Sequence, residues 1–320
     1  MFKAALLSGW HVHAHDYGRE MGESSNGELV CVWDNDIKRG EELAKSLGKP
    51  FEPDLEKILM DKEIDGVIIT TATVEHKEMI IKAANAGKHI FTEKVLGLNV
   101  DECREMKEAI EKNGVRFCIS FPQRGFINNL FAKKMIDSGK LGEITFLRVR
   151  NAHGGAIFGW LPDHFYDDSQ SGGGAMLDLG AHPMYLIRWL LGRPTDVVSM
   201  FTESMSKGTD DNCVSVFSYE NGSIAVSESG FVTPYAPRML EIYGKKGTLL
   251  ATDFDVKLFV EGGEWETVDL SGEKPLPLPI EQWISGGVVF DYDAAEGLSE
   301  MMEYAYKSYK LGQKVCFSKM

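Results

Sequence analysis

Hydrophobic positions along the chain keep two different rhythms, and the change between them falls near Phe121. Before it, short apolar runs at residues 3–7, 29–33, 66–70, 89–91 and 115–120 alternate with helical patterns at 37–47, 55–60, 75–85 and 100–113. Strands separated by helices in this order predict a parallel sheet covered on both faces. The run at 29–33 is almost wholly apolar, as a strand buried on both sides should be. Beyond Phe121 a helix at 127–137, a turn at Gly139 and a long alternating strand at 143–152 come first. A glycine-rich stretch that reads as opening a helix follows, then strands at 213–219, 223–230, 239–243 and 256–260. Glu220-Asn221-Gly222 and Lys245-Lys246-Gly247 supply turns between them, and a last helix covers 294–311. The expectation is an α/β chain: residues 1–122 form a parallel-sheet domain, and 123–320 an α/β domain with a large, open, mainly antiparallel sheet.

Composition narrows the function more than the fold. A chain of 320 residues exceeds one typical domain, which agrees with the division. With 48 acidic against 34 basic residues the formal charge is −14, which disfavours nucleic acid and anionic membranes as partners. No apolar run reaches the length of a membrane span, and Met1 leads straight into a strand rather than a signal peptide. Cys31, Cys103, Cys118, Cys213 and Cys316 are far apart and never form C-x-x-C, so a reduced, cytoplasmic protein is expected.

The candidate chemistry lies in three places. Residues 172–183 read GGGAMLDLGAHP. Three glycines allow close passage by a ligand, and in a helix Asp178 and His182 would share one face, as a carboxylate and a general base do. An ordinary buried helix with a structural histidine would read the same. Residues 86–94, AGKHIFTEK, carry Glu93 and Lys94 to the end of a strand, where open parallel sheets gather ligands; a lysine there can bond or relay a proton to a hydroxyl. After the first strand stand Ser8, Gly9, Trp10, His11, Val12 and His13, where a dinucleotide fold expects G-x-G-x-x-G; the expected glycines are absent. Strand 29–33 nevertheless ends on Asp34, placed to grip adenosine ribose hydroxyls and to favour NAD over NADP, while Asp36 reads as a helix N-cap.

Taken in order and spacing, these motifs resemble the Gfo/Idh/MocA family of nicotinamide-dependent oxidoreductases, with Thr71-Ala72-Thr73, His76, SGKLGE at 138–143 and EIYGKKGTL at 241–249 completing the pattern. The resemblance implies an N-terminal Rossmann domain, a second α/β domain with an open sheet, and a homodimer or homotetramer. It also implies hydride transfer between NAD(H) and a secondary alcohol or ketone of a sugar, polyol or inositol. Lys94, Asp178 and His182 then carry the chemistry, with His182 the proton acceptor and Asp178 a partner of substrate or imidazole. Thr71, Ala72, Thr73, His76 and Glu93 join residues 8–13 and Asp34 in holding the dinucleotide. Val95 replaces the family's proline after Lys94, and an ordinary trans peptide is expected there. Tyr185 stands where many members have an acid.

Two rival readings come from other classes. His11 and His13 form an H-x-H pair at the end of a first strand, as in amidohydrolase barrels, but that fold needs eight βα units that the second half lacks, so no metal is assigned. A sensor that binds the dinucleotide without chemistry would have no need of Lys94, Asp178 and His182 together. Substrate contacts are expected from Arg124, His153, Trp160 and His164, although the stretch 148–168 would equally suit a solvated loop.

Overall fold

A computed structural model describes residues 1–205, 207–287 and 291–318. The chain begins β1 (Phe2–Leu7), α1 (Ala14–Glu23), β2 (Gly27–Trp33), α2 (Ile37–Leu47), α3 (Leu55–Met60) and β3 (Gly66–Ile69). It continues α4 (His76–Asn85), β4 (His89–Thr92), α5 (Val100–Asn113), β5 (Phe117–Ile119), α6 (Ile127–Asp137) and β6 (Ile144–Ala152). Two short helices, α7 (Gly155–Phe158) and α8 (Asp168–Ser171), precede α9 (Ala181–Leu191). Strands β7 (Asp196–Thr202), β8 (Asn212–Ser218), β9 (Ile224–Gly230), β10 (Met239–Gly244), β11 (Gly247–Thr252), β12 (Val256–Val260) and β13 (Glu266–Thr267) follow. Helices α10 (Pro279–Ser285) and α11 (Tyr292–Leu311) and strand β14 (Val315–Cys316) end the described chain.

The first compact unit is Met1–Ser120 together with Pro277–Ser299. Its sheet has the order β2-β1-β3-β4-β5 and every pairing is parallel. The order reverses between β1 and β3, so the loops leaving those two strands flank a crevice of the kind in which open α/β sheets bind ligands. Helix α1 escaped the sequence reading because its buried stripe, Ala14, Tyr17, Gly18 and Met21, is weakly apolar. Gly18 lets Leu47 pack close, since a Cβ there would lie 2.5 Å from a Leu47 methyl and push that side chain aside. The division drawn at 122/123 gives all later residues to the second domain, whereas Pro277–Ser299 packs with the first unit. Trp283 of α10 is fully buried, its ring 4.8 Å from that of Phe2 and 5.8 Å from that of Phe91.

The second unit is Phe121–Leu276 with Glu300–Met320. Its strands run β13-β12-β11-β10-β6-β9-β8-β7-β14, antiparallel except where β6 meets β9. Helix α9 packs on β6 and β9, and α6 on β11. Alternation decides which side chains this sheet face buries: Cys213, Ser215 and Phe217 of β8 point inward, and Ser215 Oγ bonds Ser199 Oγ at 2.8 Å. Their neighbours Val214 and Val216 fall on the other face with Val226, Val198 and Met200, the last two 45% and 69% exposed. That face also carries the ion pair of Arg148 with Glu228 at 2.9 Å.

Candidate functional site

In the first unit the loop after β1 is shaped by one residue. Ser8, at the first fingerprint position, has φ +82°, a conformation that glycine adopts without cost. Its hydroxyl donates to Asp34 Oδ2 at 3.1 Å and accepts from the Trp10 amide at 3.1 Å, which holds the turn that glycine would otherwise make. Asp34, at the end of β2, also accepts from Gly9 N (2.7 Å), Asp36 N (2.9 Å), and Arg39 Nε (2.8 Å) and Nη2 (2.6 Å). The carboxylate is buried, and all of these partners come from the protein. Asp36 caps α2 as expected, accepting from Arg39 N at 3.1 Å. Helix α1 begins at Ala14, whose amide bonds the His11 carbonyl at 3.0 Å, and has no side-chain cap on its N-terminus, so the amides that follow fit an anionic group such as a pyrophosphate. Val12 lies exposed in this loop and Trp10 is buried.

The chain end of β4 meets this loop. Glu93 Oε1 lies 2.8 Å from His13 Nδ1 and 3.5 Å from His11 Nδ1, and it accepts the hydroxyl of Tyr17. Oε2 accepts from Lys94 N at 3.0 Å. Burial alone would raise the Glu93 carboxyl, but the imidazoles of His11 and His13 and the Lys94 ammonium outweigh it and hold the group well below the usual range. Burial, reinforced by Glu93, drives the Tyr17 phenol well upward, so it stays protonated. Lys94 is itself buried. The Lys94–Val95 peptide is cis, which corrects the trans expectation. From the loop after β3, Thr71 and Ala72 are buried and Thr73 opens a short 3₁₀ turn. His76 Nδ1 lies 2.8 Å from the Val95 carbonyl, and burial lowers its pKa to about 4, so the ring is neutral near pH 7.

In the second unit the glycine-rich stretch is a succession of turns, and α9 starts only at Ala181. His182 is therefore on the helix while Asp178, half-buried, precedes it, which corrects the reading of both on one helix. The glycines serve packing. A Cβ on Gly174 would stand 2.0 Å from the Asp210 carbonyl oxygen, and one on Gly173 would stand 2.4 Å from the Tyr306 hydroxyl. Asp210 pins the stretch by accepting from Gly174 N (3.1 Å), Met176 N (2.8 Å) and the Tyr306 hydroxyl (2.8 Å).

His182 is buried, and its Nδ1 lies 2.8 Å from the Tyr185 hydroxyl. That hydroxyl accepts from Gln123 N at 3.1 Å, and the Tyr185 ring stacks on Phe121 at 4.3 Å. Tyr185 is thus the partner that orients His182, a role the sequence signalled only as a departure from pattern. His153 stacks on Phe231 at 5.2 Å and meets Trp160, 53% exposed, at 4.6 Å. Arg124 lies over the Trp189 ring at 5.1 Å, and His164 sits in a separate 3₁₀ turn, 5.2 Å from Phe165.

Comparison with known proteins follows the same division. Residues 8–121 match the model of an oxidoreductase family with an NAD-binding Rossmann fold, and residues 130–250 match the Gfo/Idh/MocA C-terminal domain. The NAD⁺-dependent scyllo-inositol 2-dehydrogenase of Bacillus subtilis is 31% identical over 230 residues, a match spanning 69% of this chain but only 65% of that protein's length. The 1,5-anhydro-D-fructose reductase of Ensifer adhaerens is 26% identical over 283 residues, covering 86% of this chain and 82% of the relative. An NAD-binding oxidoreductase from Klebsiella pneumoniae shares the fold with a TM-score of 0.84 at 19% identity, covering 100% of this chain and 99% of its own.

Proposed function

The chain belongs to the Gfo/Idh/MocA family of oxidoreductases, its first unit the family's NAD-binding Rossmann domain, and on that premise we propose that it transfers a hydride between NAD(H) and a secondary alcohol or ketone of a sugar, polyol or inositol. The observation that carries the reading is His182: a buried imidazole held by one nitrogen to Tyr185, as a general acid/base must be held. Bound NAD supplies the hydride acceptor or donor. The chain's own residues bind and move protons. In the first unit residues 8–13, Asp34, Thr71, Ala72, Thr73, His76 and Glu93 hold the dinucleotide. Asp34 acts first by fixing the 8–9 turn and Arg39; a direct grip on ribose hydroxyls requires Arg39 to swing aside. Lys94 donates to the reacting hydroxyl. In the second unit His182 exchanges its proton, Asp178 anchors substrate, and Arg124, His153, Trp160 and His164 supply polar and stacking contacts. The inositol and anhydrosugar specificities of the relatives support this substrate class.

We place the protein in the cytoplasm on its free cysteines, four buried and Cys316 exposed; among the described residues no helix is long and apolar enough to cross a membrane. A screen of sugars, inositols and their keto forms, followed by NADH absorbance, tests the activity. Wild type should turn over at least one, and His182→Ala should lower kcat by roughly 10² to 10⁴ while NADH binding is retained. Tight NADH binding with no turnover of any of them would favour a dinucleotide sensor instead.

A further inference from the structure

The residues that replace the glycine fingerprint converge with a carboxylate from another strand. His11, His13 and Glu93 each offer a ligand atom, and these atoms lie within 4.8 Å of one another. We infer that His11, His13 and Glu93 form a binding site for one divalent transition-metal ion, zinc being the best fit, and this goes beyond the proposed dehydrogenase activity.

The geometry supports it at each ligand. For metal–ligand bonds of ~2.0–2.1 Å, the edge of a tetrahedron is about 3.3 Å. The separations of Glu93 Oε1 from His13 Nδ1 and His11 Nδ1, 2.8 and 3.5 Å, bracket that length. His11 Nδ1 accepts the His13 amide at 3.2 Å, so binding the ion exchanges that hydrogen bond for a metal–ligand bond on the same lone pair. The two rings face the same carboxylate oxygen with centroids 4.8 Å apart. Around the carboxylate stands the outer layer that metal ligands need: Tyr17 bonds Oε1, Ser120 Oγ holds the Tyr17 hydroxyl at 2.7 Å, and the Lys94 amide holds Oε2. Two histidines and one carboxylate leave at least one coordination position for an oxygen ligand. His13, 40% exposed at its side chain, gives the ion a path in from solvent.

The test uses the full chain, untagged, dialysed against a chelator and then titrated with Zn²⁺ or with Co²⁺ as its spectroscopic surrogate. Wild type should retain one equivalent of metal and give the intense visible absorption of tetrahedral Co²⁺. His13→Ala and Glu93→Gln should each weaken binding at least ~100-fold, since loss of an outer partner alone costs 10- to 100-fold. His13 is on the surface, so its variant keeps the test decisive if Glu93→Gln does not fold. NADH binding by the metal-free wild type, measured by fluorescence, tests the dehydrogenase reading separately; the two variants do not, because His13 and Glu93 also belong to the set proposed to hold the dinucleotide. Absence of metal uptake by the wild type, or uptake undiminished in His13→Ala, would overturn the site.

Discussion

Replacing Tyr185 by phenylalanine separates orientation of His182 from packing, because it removes one oxygen and leaves the ring stacked on Phe121 at 4.3 Å. Two hydrogen bonds go with that oxygen: 2.8 Å to His182 Nδ1 and 3.1 Å from Gln123 N. Gln123 is only 6% exposed, so its amide loses an acceptor where water is scarce. That should cost about 1–3 kcal/mol of stability. The bond to His182 has a net worth of about 0.5–1.5 kcal/mol, and 1.36 kcal/mol is a factor of ten in rate. Tyr185→Phe should therefore lower kcat roughly threefold to tenfold, well short of the effect of deleting His182 itself. KM for substrate and the NADH dissociation constant should stay near wild type, because the imidazole remains in place and only its orientation loosens. Steady-state kinetics at saturating NAD, beside urea unfolding, measure both consequences. An unchanged kcat with a lowered unfolding midpoint would show that Tyr185 only secures the 121–123 corner, and the orienting role would be refuted.

Other expectations follow from packing and charge. His76 is neutral in the fold with a pKa of about 4 against an ordinary 6.5, because of burial, so the unfolded chain binds the proton first as pH falls. Stability should be full above pH 6.5 and fall by about 3 kcal/mol towards pH 4 at 1.36 kcal/mol per unit, and His76→Gln should flatten that slope in urea titrations; equal slopes would contradict the assignment. Gly174→Ala should destabilise by about 1–3 kcal/mol or more, since its Cβ meets backbone at 2.0 Å, whereas Gly22→Ala in α1, with nothing within 4 Å, should be neutral or stabilising by calorimetry. The face carrying Val198, Met200, Val214 and Val216 should be buried between copies of the chain. Light scattering should give a dimer or tetramer in wild type and a smaller species in Val216→Glu; a wild-type mass of 35.6 kDa would exclude it.

Local signals were legible and long-range convergence was not. Helices α2, α3, α5 and α6 and strand β12 have the bounds read from periodicity, because an amphipathic stripe or a cap such as Asp36 is written within a few residues. The glycine-rich stretch was misread for the opposite reason. Its shape is set by Asp210 and Tyr306, which are 36 and 132 residues from Gly174, and no local pattern reports them. The four-residue spacing of Asp178 and His182 imitated a helix that had not yet begun. Likewise His13 and Glu93 are 80 residues apart, and only the parallel order of β1, β3 and β4 brings their strand ends together. Ser8 shows a third case: the turn persists where the motif does not, because a hydroxyl bonded to Asp34 holds what a glycine would allow.

The return of Pro277–Ser299 to the first unit has a consequence for how this protein is made and dissected. A ribosome that has released the first 120 residues has released all five strands of the parallel sheet but not Trp283, whose ring seals Phe2 and Phe91. Arg116 is also waiting, since its guanidinium bonds the carbonyls of Trp283 and Ile284. The first unit is therefore incomplete until residues 277–299 have emerged, and it closes late, with its apolar floor open to chaperones in the interval. A fragment cut after Ser120 should inherit that open state permanently and precipitate or bind hydrophobic dyes, while a fragment rejoined to 277–299 through a short linker should not.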